Sequence, residues 1–140
     1  MVNGKVDRAK LSAKVVHDPA AIRRLEQIVH PMLRAYHQKF LDDAEKSGAP
    51  VALVDVPLLF ETGAQRRFDR VIVTACSADL QLARLKARGL TEDAARQRLA
   101  AQWPTEKRIA GADFVIHTDG AFDDTDRQVR DVNKALGGPV

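Results

Sequence analysis

The 140-residue sequence holds one cysteine, one tryptophan and one tyrosine, and aromatic side chains make up only 5% of it. A lone Cys76 excludes an internal disulfide framework. So few aromatics argue against a binder of single-stranded nucleic acid, which needs flat platforms for its bases. No stretch approaches the roughly 20 apolar residues of a membrane-spanning helix. The basic segment from Met1 to Lys14 has no apolar core of the signal-peptide kind. Repeats and low-complexity tracts are absent as well. The expectation is a cytoplasmic protein with neither a membrane nor a nucleic acid as partner.

What is present fits a soluble globular chain. Hydrophobic residues are 45% and charged residues 29% of the total, both ordinary values. The length suits one domain, which if complete buries roughly 70% of its unfolded surface. The net charge of +3 is compatible with anionic ligands, and equally with a charge that only keeps the protein dissolved.

Residues Met1 to Val16 read as a loop with a short helix around Arg8 to Val15. Asp18 is a good N-cap with Pro19 at the first helical position. Ile22, Leu25 and Ile28 or Val29 then form an apolar stripe. Pro31 predicts a break, because proline disfavours helical geometry at His30 and donates no hydrogen bond. A second helix is expected from Pro31 to about Lys46, ended by Ser47-Gly48. Three short apolar runs follow, Val51–Asp55, Val71–Ala75 and Phe114–Ile116, each reading as a strand buried on both faces. Ser77 caps a predicted helix that Gly89 closes. Thr91 caps another through Gln102, with Glu92 and Asp93 in its first turn. A final helix carries Phe122, Thr125, Val129, Val132 and Leu136 on one face and stops at Gly137-Gly138-Pro139. Strands alternating with helices indicate an α/β fold with a parallel sheet. Three strands are few for a sheet covered on both faces.

Asp55 ends the first of these runs, and ligands of open α/β sheets bind beyond such strand ends. A carboxylate there can hold magnesium directly or through water; a polar residue that merely closes a strand is the plainer meaning. Arg84 and Arg88 share a helix face, with Gln81 one turn earlier. Arg96, Arg98, Lys107 and Arg108 follow. Guanidinium forks suit phosphate oxygens, although a solvated basic face has the same composition. No zinc spacing and no nucleophile elbow occurs.

In order along the chain these elements resemble one family, the dephospho-coenzyme A kinases. Leu25 to Pro31 (LEQIVHP) is similar to its LE-x-I-x-HP element. Asp55 to Glu61 (DVPLLFE) resembles its D-x-PLLFE motif, the most specific match. Gln81 to Arg88 is similar to Q-x-x-RL-x-x-R, and Arg98 to Gln102 to the R-(I/L)-x-x-Q that follows. Ala112 to Ile116 with Gly120 resembles AD-x-VI-x-N-x-G, with His117 and Thr118 where the family often carries Asn nearby. Val6-Asp7-Arg8 and Leu11 resemble (I/V)DR-x-x-L. The likeness spans nearly the whole chain from about Gly4.

That resemblance implies ATP-dependent phosphorylation of the ribose 3′-hydroxyl of dephospho-coenzyme A, the last step of coenzyme A synthesis, with Mg2+. It implies that Asp55 orients the metal through water and that Arg84 and Arg88 close over ATP and the moving phosphoryl group. Pro57, Leu58, Leu59 and Phe60 would wall the acceptor site. His30 would touch substrate or cap the helix from Pro31. It implies one domain over 1–140, a P-loop-kinase-like sheet with a helical substrate segment over 18–46 and a lid-like one over 77–111.

The family's phosphate loop, G-x-x-x-x-G-K-S/T, cradles phosphates on its backbone, and no such motif occurs in these 140 residues. Its place and that of the D-x-D element are expected upstream of Met1. The sheet would then be incomplete, and the chain by itself inactive. It would be prone to self-association through unpaired strand edges, or be complemented by a segment carrying the loop. The other reading is a non-catalytic remnant that binds a nucleotide or a protein.

Overall fold

The computed structural model describes residues 6–15 and 18–138; Gly4, Lys5, Val16 and Pro139 lie outside them. Two compact units are formed, one up to Val54 and one from Asp55 onward.

The first unit is a helical pair, α1 (Arg8–Val15) and α2 (Pro19–Lys46). Asp18 starts α2, its Oδ1 accepting from the amides of Ala20 at 2.8 Å and Ala21 at 3.0 Å. The break expected at Pro31 does not occur: α2 runs unbroken for 28 residues, or about 42 Å. Pro31 removes one bond, to the carbonyl of Gln27, and both residues are exposed. Water can satisfy that carbonyl, so the cost stays local. Turns further along the helix are reinforced by Gln38–Asp42 and Lys39–Asp43 contacts four residues apart. His30 is therefore mid-helix and caps nothing, which corrects the cap expectation. Ser47 and Gly48 end the helix, Gly48 at φ 69°, where a side chain would be strained.

The strand expected at Val51–Asp55 is not formed. A strand needs a neighbour for its amides and carbonyls, and among the described residues none pairs with this run. Leu53 is 71% exposed. The remaining two expected strands do form: β1 (Ile72–Ala75) and β2 (Phe114–His117) pair in parallel, with Ile72 opposite Phe114 and Ala75 opposite His117. The result is an α/β unit with a small parallel sheet. Its crossover consists of α3 (Ala78–Ala87), α4 (Glu92–Ala100) and α5 (Thr105–Ala110); α6 (Phe122–Ala135) packs on β2.

Capping sets the starts of α3 and α4. Ser77 Oγ accepts from Leu80 N and Thr91 Oγ1 from Ala94 N. Trp103-Pro104 separates α4 from α5, which ends α4 short of Gln102. Phe60, Val71 and Val73 form the core, with Leu59, Trp103, Ile109 and Ala112 against it. Phe60 stacks on Trp103 with ring centres 5.7 Å apart. A Cβ on Gly111 would stand 2.8 Å from the Phe60 ring, so only glycine fits beside that ring. Gln128 closes the β2 edge, accepting from His117 N at 2.8 Å and donating to His117 O at 2.9 Å.

Candidate functional site

A cleft of about 280 Å³ opens beyond the carboxyl ends of β1 and β2, where open α/β sheets bind ligands. Arg84, Arg88, Arg98 and Arg108 line it, together with Gln81 and Thr118. The sequence dictates this convergence step by step. Ser77 fixes where α3 begins, so Arg84 and Arg88 fall one turn apart on one face. Thr91 does the same for α4, which brings Arg98. Pro104 restarts the chain as α5, which brings Arg108.

The cleft is strongly basic and its charge is not neutralised from within. Among the described residues, none of the four arginines pairs with a carboxylate, whereas Arg96 outside the cleft bonds Glu92 at 2.7 Å. Arg84 donates to Thr118 Oγ1 at 2.9 Å and to Thr118 O at 2.6 Å. Arg108 donates to Thr105 Oγ1 at 3.2 Å. Its Nε is buried and has no partner among the described residues. A buried donor left unsatisfied costs stability. Gln81 ties the walls together, its Nε2 donating to Cys76 O at 2.9 Å and to Thr105 Oγ1 at 3.1 Å.

The sequence-predicted residues do not all meet. Arg84 and Arg88 stand together in the cleft. Asp55 is exposed and is not part of its lining. No three His, Cys, Asp or Glu side chains gather as a metal cluster among the described residues. Magnesium is commonly held by one or two carboxylates, the rest being water and phosphate oxygens, so a single Asp55 fits it in that limited sense. The set of four lining arginines fits a nucleotide polyphosphate well. Pro57 and Leu58 are exposed, Leu59 packs on the core and Phe60 lies in it at 7% exposure. Glu61 closes that motif, accepting from Trp103 N at 2.6 Å. His30 is exposed on α2, beside Arg23 and Arg34 in a shallow depression of the first unit.

Thr118 and the lining role of Arg108 were not legible as site features. The position of Thr118 immediately after a strand was a signal for the first. For the second, the turn at Trp103-Pro104 was the signal.

The model of the dephospho-CoA kinase family matches residues 1–124. A dephospho-CoA kinase of Rhodopseudomonas palustris is 56% identical over 135 residues, covering 96% of this chain and 68% of that protein. Among solved structures, a dephospho-CoA kinase from Campylobacter jejuni superposes with a TM-score of 0.70 at 29% identity, covering 97% of this chain and 68% of that one. A crystal structure of a Thermus thermophilus protein gives 0.79 at 32% identity, covering 98% of this chain and 71% of that one. The chain spans about two thirds of the length of the curated relatives it matches, from 66% to 68% for the first three. Motif order, the strand-end arginine cleft and a relative more than half identical across nearly the whole sequence agree, and the chain belongs to the dephospho-CoA kinase family.

Proposed function

We propose that this chain carries the arginine-bearing part of an ATP-dependent kinase that phosphorylates the ribose 3′-hydroxyl of dephospho-CoA in the cytoplasm, completing coenzyme A. The observation that carries the reading is the unneutralised cleft of Arg84, Arg88, Arg98 and Arg108 at the strand ends. In the transfer, the acceptor hydroxyl loses its proton to water, its oxygen bonds the γ-phosphorus, and the bond to the β–γ bridging oxygen breaks to release ADP. Charge spreads over the equatorial phosphoryl oxygens, and Arg84 and Arg88 are the groups that hold it. Magnesium, when bound, neutralises phosphate charge, and Asp55 would hold it through water. Pro57 and Leu58 are open to the acceptor, with Leu59 and Phe60 supporting them from the core. His30, with Arg23 and Arg34 beside it, suits the anionic coenzyme. On this reading both units are segments of one kinase-like domain.

The 140 residues carry no phosphate loop, and removing even one preorganised donor typically costs about a hundred- to a thousandfold in rate. The expected result is no turnover of ATP and dephospho-CoA by the purified chain alone. Turnover should appear when the part of the Rhodopseudomonas palustris relative that this chain does not cover is added. Arg88→Ala should then lower it about a hundredfold or more. Turnover by the chain alone, measured free of host kinase, would refute its inactivity. The missing loop motif also favours a second reading, a nucleotide- or protein-binding module without catalysis. ATP bound by the chain, with no turnover in any combination, selects that one.

A further inference from the structure

Arg84 and Arg88 share the cleft but are held differently. The Arg88 guanidinium has no bonded partner among the described residues, while that of Arg84 is gripped at two points by Thr118. Thr118 is in turn fixed to the end of β1. Its amide donates to Ala75 O at 2.8 Å and its hydroxyl to the same oxygen at 3.2 Å. A threonine hydroxyl has one hydrogen, so committing it to Ala75 leaves the lone pairs of Oγ1 for Arg84. The side chain's stiff χ1 and the backbone carbonyl then present two acceptors to one guanidinium fork. Of its five N–H donors, Arg84 spends two on Thr118 and keeps three.

The next residue completes the hold. Asp119 Oδ1 accepts from Ser77 N at 2.7 Å, at the cap of α3. The exit of β2 thus holds α3 at its start through Asp119 and two turns later through Thr118 and Arg84. The helix that bears Arg84 and ends at Arg88 is aimed by two consecutive residues just past one strand end.

We infer that Thr118 is a positioning residue that pre-sets the Arg84 guanidinium in the cleft for a polyphosphate, acting through Arg84 rather than on the ligand. This rests on reading the cleft as a polyphosphate site, and it adds to that reading which arginine is pre-set and by what. A long side chain ordered before binding loses less freedom when the ligand arrives. Arg88 meets the ligand without that advantage.

The test is calorimetric titration of the 140-residue chain with inorganic tripolyphosphate, alongside thermal melts. Thr118→Val keeps the shape and removes the hydroxyl, and binding should weaken about two- to tenfold. Thr118→Ser keeps the hydroxyl and should stay within about twofold of the parent. In an Arg84→Ala background, Thr118→Val should weaken binding no further. A merely structural role would persist there. Arg84→Lys keeps the charge but cannot span both acceptors, and should lose as much as Thr118→Val; it decides the matter if the valine variant does not fold. Undiminished binding by Arg84→Lys, or equal losses from Thr118→Val with and without Arg84, would overturn the inference. If the parent binds tripolyphosphate and only Arg88→Ala weakens it, the inference falls alone. If the parent does not bind tripolyphosphate, the reading of the cleft falls with it.

Discussion

The helical unit up to Val54 and the sheet unit from Asp55 are held together by different kinds of interaction. Every buried hydrophobic side chain among the described residues belongs to the second: Phe60, Val71, Val73, Ala75, Ala95 and Ile116. Helix α2 buries none, and its Ile28, Met32 and Tyr36 are 63%, 67% and 72% exposed. What sustains α2 is local, namely the Asp18 cap, Pro19 and contacts one turn apart. The sheet unit is tied by bonds across the chain: Val71 to Asp113, Ser77 to Asp119 and Trp103 to Glu61, each spanning 42 residues. A structure built on local bonds can fray by parts, whereas one built on distant bonds opens as a block. The arginine cleft belongs to the block.

The strongest way to break this contrast is Phe60→Ala. Emptying a buried aromatic site costs about 3–5 kcal/mol, enough to unfold a marginal unit. Trp103 stacks on Phe60 and is the sole tryptophan, so its fluorescence reports the sheet unit alone. The expected outcome is loss of the Trp103 transition in denaturant while much of the helical circular dichroism survives. If both signals collapse together, the two units are one cooperative structure and the contrast is wrong. Asp18→Ala is smaller and opposite. Loss of an N-cap costs about 1 kcal/mol, which should lower helicity from the start of α2 and leave the Trp103 midpoint in place. A matching shift in that midpoint would tie the cap to the block.

The same division explains what could be read from the sequence. Caps and turn glycines act within a few residues, so the starts of α2, α3 and α4 were legible from Asp18, Ser77 and Thr91. The two strands that find each other, near Val71 and Phe114, were legible as apolar runs. Val51–Asp55 has the same composition, but composition does not say whether a partner strand is present, and there the expectation failed. Pro31 misled for the converse reason, because a propensity rule cannot see that both residues of the lost bond stay exposed. At the site, Arg84 and Arg88 were visible as a one-turn pair. Arg98 and Arg108 were visible as charges without a place. The place of Arg108 depends on the turn at Trp103-Pro104, which Glu61 holds from 42 residues away.

The smallest expected effect lies where the two kinds of interaction meet. Glu92, in the first turn of α4, accepts from Arg96 on its own helix at 2.7 Å and from Lys86 of α3 at 3.0 Å. Hydrogen bonds from Arg96 first, then Lys86, hold its carboxyl below the usual carboxylate range. A lowered folded value means that the unfolded chain takes up the proton first on acidification. The contribution is therefore complete above the ordinary glutamate value of about 4.3. It fades as pH falls through the lower folded value. All three side chains are about half exposed or more, so water and salt screen the pair and the gain is slight. Glu92→Gln removes the charge and should flatten this part of the acid limb of the Trp103-monitored stability profile. The difference from the parent should shrink as salt is raised. Parallel acid limbs for parent and variant at low salt would show that the α3–α4 pair does not couple to the block, and that the arginines on those helices are aimed by the strand ends alone.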